Sequence, residues 1–115
     1  MTLPKMPFTI TDWSELPATR IQGQQGYTEW RAQDFGAIRV RLSEYSPGYV
    51  ADGFCDTGHV LYVIEGEVEV ELKDGRRFKM TPGQSFSVSD FGDAAHRCSS
   101  VHGAKFFVVE GAPSP

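Results

Sequence analysis

The dominant period along this chain is two. From Gly26 onward, Tyr27, Glu29 and Arg31 alternate with Thr28 and Trp30, and Ile38, Val40 and Leu42 alternate with Arg39 and Arg41. Successive side chains of an extended strand point to opposite faces, so this pattern predicts half-buried strands. Ser46-Pro47-Gly48 ends the first sheet segment, because proline presets a bend and glycine supplies the left-handed conformation after it. His59 to Leu72 is the longest strand-like stretch, with Leu61 and Val63 on one face and a break at Glu65-Gly66. Beyond the break, Val68, Val70 and Leu72 alternate with Glu67, Glu69 and Glu71, which reads as an apolar face backed by a solvated acidic one. Asp74-Gly75 is the cue for a tight two-residue hairpin into Arg76 to Met80, and Pro82-Gly83 turns the chain again before Phe86 and Val88. Asp90 to Asp93 form a polar loop, His96 to Ser100 a short strand, and Lys105 to Glu110 a final apolar strand. No window carries an amphipathic helical period, and no repeat is present. Roughly eight to ten short strands in so small a chain hide their edges only as a sandwich or a closed barrel, so the predicted class is all-β.

Residues 1 to 17 follow no such period. Pro4, Pro7 and Pro17 punctuate them, and the segment reads as an extended arm. Phe8, Ile10, Trp13 and Leu16 make it apolar enough to lie against the body or to cross to a partner subunit. Trp13 and Trp30 are expected as packing anchors rather than stacking platforms for a sugar or base. At 115 residues the chain has room for one core, and 12 glycines with 7 prolines agree with many turns. Eleven Lys and Arg against 15 Asp and Glu leave a net charge of −4 with no basic cluster, so no nucleic-acid partner is expected. No apolar run approaches the roughly 20 residues of a membrane helix, and the N-terminus lacks the shape of a secretion signal. Cys55 and Cys98 are too few for a disulfide framework, and the expected location is the cytoplasm.

Three residues stand out chemically: Cys55, His59 and His96. Thiolate and imidazole bind borderline-soft divalent ions, and three protein ligands with an open position compose an exchangeable or catalytic site. Cys55 and His59 are four apart, which on an uninterrupted strand puts both on the face of Leu61 and Val63. His96 has to come from a distant strand, and Cys98, two residues on, is a possible fourth ligand. The plainer alternatives are free cysteines as small core residues or as a Cys55–Cys98 disulfide, and histidines held by hydrogen bonds. His102, beside Gly103, is expected to be exposed and idle.

The stretch from Tyr45 to Gly75, with Gly58-His59-Val60-Leu61-Tyr62-Val63-Ile64-Glu65-Gly66-Glu67 at its centre, resembles the first conserved motif of the cupin superfamily. Pro82-Gly83-Gln84-Ser85-Phe86-Ser87-Val88 followed by His96-Arg97 resembles the second. More narrowly, Val50 to His59 with the Phe8 to Trp13 arm and the Ile38 to Ser46 strand is similar to the small cupins named for a cluster of Asp, His, Cys and Trp (the DHCW group). The resemblance covers nearly the whole chain. It implies a double-stranded β-helix, a jelly-roll-like antiparallel barrel over residues 26–110 with the extended arm at 1–17, the whole of 1–115 forming a single cupin domain. Cupin metal sites are usually two His and a Glu from the first motif and a His from the second, and these positions fall here on Gly53, Cys55, His59 and His96.

Gly53 and Phe54 stand where the narrower group has His and Trp, so one donor is missing. Water fills the vacancy, Cys98 compensates, or the site is a metal-free pocket. A thiolate from Cys55 favours zinc, ahead of iron or copper, over manganese. Asp52 and Asp56 read as turn residues or as hydrogen-bond acceptors for a ligating imidazole. The expectation is therefore a small homodimeric cupin that binds a divalent metal ion at Cys55, His59 and His96. Through that ion it would hold a small organic molecule in a mouth lined by Val50, Leu61, Val63, Phe86 and Phe106. The alternative is a metal-free barrel that binds or senses a small molecule without catalysis, and a third reading is a purely structural barrel. Cupins host isomerases, dioxygenases, decarboxylases and storage barrels alike, so the resemblance does not decide whether this chain is an enzyme.

Overall fold

The period of two becomes ten strands in the computed structural model, which describes residues 3–113. In chain order they are β1 (Thr19–Gln22), β2 (Tyr27–Phe35), β3 (Ile38–Tyr45), β4 (Tyr49–Val50), β5 (His59–Gly66), β6 (Val68–Leu72), β7 (Arg77–Met80), β8 (Ser85–Val88), β9 (His96–Ser100) and β10 (Ala104–Gly111). They form a six-stranded sheet ordered β1-β2-β3-β10-β5-β8 and a four-stranded sheet ordered β4-β9-β6-β7, every pairing antiparallel. The two sheets face each other over one apolar core. Leu61 and Val63 of β5 and Phe106 and Val108 of β10 supply one side, and Val68 and Val70 of β6 with Cys98 of β9 supply the other. Each fully buried side chain of this kind contributes about 1.5–3 kcal/mol relative to exposure. No helix among the described residues is long and apolar enough to cross a membrane.

Several local expectations are corrected. The connection at Asp74-Gly75 is a three-residue loop, Lys73 to Gly75. Leu72 donates to Arg76 O at 2.8 Å, and Gly75, at φ 100°, donates back to Leu72 O at 2.9 Å. That is the turn-plus-bulge solution to a hairpin, with glycine at its left-handed position. β1 gave no sequence signal because all four of its residues are exposed and it is held only by pairing with β2. β3 is turned over relative to its hydropathy. Ser43 and Arg41 sit opposite Phe106 and Val108 and face inward, whereas Val40 and Leu42 sit opposite Val109 and Phe107 and face outward. Ser43 is completely buried.

The arm lies against the body only in part. Asp12 caps a single 3-10 turn at Trp13–Glu15, its Oδ1 accepting from Ser14 N at 3.0 Å. Trp13 meets Phe107 edge to face at 6.1 Å, and Arg31 Nη1 donates to Trp13 O at 2.9 Å. Trp13 is thus the packing anchor expected of it, and Trp30 lies under the Arg41 guanidinium at 5.2 Å. Phe8 and Ile10, expected to be covered, are 95% and 85% exposed.

Gly66, the last residue of β5, explains the break in the longest apolar stretch. Its φ is 74°, and a Cβ there would stand 2.1 Å from Gly103 O. Gly75 shares the left-handed conformation but has open space around it. Gly66→Ala is therefore expected to lower unfolding free energy by about 3 kcal/mol or more, and Gly75→Ala by about 1–2 kcal/mol, the backbone strain alone. Urea unfolding at neutral pH checks this, and equal losses in the two variants would show that the contact with Gly103 does not set the junction.

Candidate functional site at the sheet mouth

His59 is the first residue of β5, and its parity with Leu61 and Val63 points it inward, as the sequence implies. His96 opens β9, paired with Leu72 of β6, and is buried. The two imidazoles meet at 4.9 Å between centroids, nearly perpendicular at 82°. Phe86 of β8 packs edge-on to both, at 5.3 Å from His59 and 5.7 Å from His96. His59 Nε2 is buried and has no hydrogen-bond partner.

Burial is the main force on these rings. It pulls His59 down to about 4, helped by repulsion from His96 and Arg41 and opposed by Asp90. Burial lowers His96 as well, against the pull of Asp56. Both rings are therefore neutral at neutral pH and carry free lone pairs, which is the state that ligates a metal. An unpartnered buried nitrogen costs about 1–3 kcal/mol, so a ligand that satisfied it would recover that free energy.

A cavity of about 180 Å³ opens above the pair, lined by His59, His96, Cys55, Cys98, Arg41 and Tyr45 among others. A larger groove of about 600 Å³ lies on the other side of His96, between β7 and β8, with Val70, Leu72, Met80, Phe86 and Val88 in its walls. His59, Cys55 and Cys98 border only the smaller space, and His96 lines both. Of the expected lining, Leu61 and Phe106 border the mouth and Phe86 the groove. Val63 is instead fully enclosed in the core, and Val50 belongs to β4.

Cys55 does not share a strand with His59, because β5 begins at His59 and residues 51–58 form a loop crossing between the sheets. The loop is stitched to β9, with Cys55 N donating to His96 O at 2.8 Å and His96 N to Cys55 O at 3.0 Å. The Cys55 thiol is exposed, and its Sγ accepts from Thr57 N at 3.3 Å. Cys98 is buried, and burial pushes its thiol up to about 11 against the opposing effect of Tyr45, so it stays protonated. Neither cysteine is in a disulfide. Among the described residues, no three His, Cys, Asp or Glu side chains converge as a ready coordination shell. The imidazole pair therefore fits a metal ion by chemistry and position, and Cys55 stands in the same wall without being drawn in. Gly53 borders this cavity too, and a Cβ there meets nothing within 4 Å. Asp52, Asp56 and His102 are exposed.

Arg41 is the residue that sequence reasoning missed. Read as a polar partner of Val40 and Leu42, it instead enters the mouth from β3, where Glu110 holds it at 2.6 Å. Its only sequence signal was the inverted β3 pattern, which is visible only once the neighbouring strands are known.

Neither a protein-family model nor any curated protein matches the sequence. Solved structures match in fold. An RmlC-like cupin from Shewanella frigidimarina superposes with a TM-score of 0.69 at 18% identity over 94% of each chain. Ectoine synthase from P. lautus superposes at 0.72 with 17% identity, over 93% of this chain and 80% of that one. Fe(II)-HppE, bound to an alternative substrate, superposes at 0.71 with 14% identity, over 90% of this chain and 60% of that one. The chain has the all-β cupin fold expected from its motifs.

The lowered His59 has a stability consequence. The unfolded chain takes up a proton on this ring near pH 6.5 and the folded one only near 4, so stability is full above about 6.5 and falls as pH drops through that window. For metal-free protein, the loss between pH 7 and 4 is expected to be on the order of 3 kcal/mol greater than in His59→Asn. Urea unfolding of both proteins at the two pH values measures it, and parallel losses would mean that His59 titrates normally.

Proposed function

We propose that this chain is a small metal-binding cupin that holds a divalent ion through His59 and His96, with Cys55 as third donor, and binds a small organic molecule beside it. The observation that carries the reading is the buried, unpartnered Nε2 of His59 facing a second neutral imidazole. Cys55 borders the same cavity from a loop, and its thiol is committed only to one weak acceptor contact with Thr57 N. A thiolate beside two imidazoles suits zinc ahead of iron or copper. Iron is named for Fe(II)-HppE, whose fold this chain shares. Bound there, the ion would act as a Lewis acid on a carbonyl or carboxylate oxygen. Arg41 presents a cation to the same space, which favours a ligand with an anionic group, and the apolar groove beyond His96 suits the rest of the molecule. The free, exposed thiol of Cys55 is consistent with a reducing compartment, and we place the protein in the cytoplasm.

A metal-free binding barrel is the second reading, favoured by the lack of three converged donors among the described residues. Calorimetric titration of the chelator-treated protein with zinc separates the two. His59→Ala and His96→Ala should each weaken zinc at least about 100-fold, and Cys55→Ser about 10-fold. His102→Ala should leave it unchanged. Gly53→His, which adds a donor where space is open, should tighten it. No zinc binding by the wild type, or equal binding by all variants, would leave the metal-free barrel.

A further inference from the structure

The geometry points to a ligand class for the mouth: a 2-hydroxy or 2-oxo carboxylate, its carboxylate held by Arg41 and its neighbouring oxygen facing the imidazoles of His59 and His96. This rests on the mouth being the ligand site, as proposed above, and adds what that site recognises. Charge decides the sign of the ligand. Arg41 lines the cavity together with His59, His96, Tyr45 and Tyr49, and no Asp or Glu among the described residues lines it. Burial is the main influence on His59, Tyr45 and Tyr49, but the Arg41 charge acts on all three, so its field reaches across the cavity. Arg97, the other cation at the rim, is committed elsewhere. Its Nη2 lies 3.1 Å from Glu71 Oε2, and its guanidinium lies 4.8 Å from the Phe54 ring.

Glu110 sets the direction in which Arg41 can bind. Its register partner on β5 is His59, so the two side chains stand side by side on the inner face. A single oxygen, Oε1, accepts from Arg41 Nε at 2.9 Å and lies 2.6 Å from Nη2. That occupies one edge of the guanidinium and leaves the end of the fork, Nη1 with the second hydrogen of Nη2, to the cavity. Two parallel donors at that spacing match the two oxygens of a carboxylate. Because Glu110 already neutralises Arg41, one further negative charge is matched better than the charge of about −2 that a phosphate brings.

Size decides the rest of the head group. The cavity holds about 180 Å³, the space of roughly six water molecules at about 30 Å³ each. The part of the ligand seated here is therefore a carboxylate and about two or three further atoms, and a second polar group has to stand on the adjoining carbon. Neutral imidazoles offer both a lone pair and an N–H, which serves a hydroxyl or a carbonyl oxygen equally. Leu61 and Phe106 make the remaining wall apolar. An ion bound at the imidazoles would add Lewis acidity toward the same oxygen.

Chemical-shift titration of the chelator-treated full chain uses four probes: lactate, propionate without the 2-oxygen, lactamide without the charge, and inorganic phosphate. Lactate is expected to bind in the millimolar range, at least about 10-fold tighter than lactamide or phosphate and about 3-fold tighter than propionate. Arg41→Lys keeps the charge but not the fork, and the double variant Arg41→Gln with Glu110→Gln leaves no charge of the pair uncompensated. Each is expected to weaken lactate at least about 10-fold, with unchanged amide signals away from the mouth showing that the variants fold. Zinc loading is expected to widen the advantage of lactate over propionate at least about 10-fold. Lactamide or phosphate bound as tightly as lactate, lactate equal to propionate in both forms, lactate held equally by the variants, or no lactate bound at all overturns the assignment. Failure of the metal reading looks different: wild type binds no zinc, yet lactate bound by the metal-free protein is still lost in both Arg41 variants, which supports the carboxylate site.

Discussion

Two backbone hydrogen bonds between Cys55 and His96 hold this structure's mouth in place. The chain has to pass from β4 in one sheet to β5 in the other, and it does so through residues 51–58, which have almost no regular structure of their own. They are fastened at three points: Ala51 N to Cys98 O at 3.1 Å, the reciprocal Cys55–His96 pair, and Phe91 N to Asp56 O at 3.0 Å. Each such bond contributes only about 1 kcal/mol net, but together they fix where the loop ends. Gly58 then packs so tightly against Ser89 and Asp90 that a Cβ would stand 2.3 Å from Ser89 C. With its backbone occupied by the loop, His96 presents its ring to the interior, and His59, the next residue after Gly58, meets it there.

The electrostatics follow from that meeting. Two imidazoles 4.9 Å apart, with Arg41 near, make a poor place for a further positive charge on a side chain. Burial is the largest influence on both rings, and repulsion from His96 and Arg41 adds to it on His59 alone, so the neutral form wins on both. Arg41 is paired with Glu110 at 2.6 Å. The mouth therefore combines neutral nitrogen donors with one compensated cation. A bound metal ion would take its affinity from lone pairs, and an anionic ligand its orientation from Arg41.

Much of this was legible in the chain because strands announce themselves by alternation and turns by glycine and proline. The all-β class and the inward aim of His59 follow from such signals. The strand after Ser46-Pro47-Gly48 is only the two residues of β4. What was hidden shares one property: it depends on contacts between distant segments. β1 is an exposed edge with no alternation to read, and the Cys55 loop interrupts a parity argument that holds only within one strand. The imidazole pair was legible as residue types, but its spacing is set by the β6–β9 and β5–β8 registers. Phe8 and Ile10 look like core residues by type, and nothing in one chain's sequence says whose surface they would cover.

β3 shows why hydropathy alone misassigned the most informative strand. Its inner face carries Arg41, Ser43 and Tyr45, and its outer face Val40 and Leu42. A strand of an isolated two-layer fold has no reason to be arranged this way, because the apolar set faces away from the core. Arg41 and Tyr45 line the cavity within, and Val40 and Leu42 lie beside Val109 and Phe107 on the outer face. Burial is heavy even on the polar side, where Ser43 Oγ is enclosed with no hydrogen-bond partner. The outward apolar set extends directly into the stripe on β10 and β5. The inverted strand thus puts Arg41 into the mouth and a continuous apolar stripe on the outer face of the sheet.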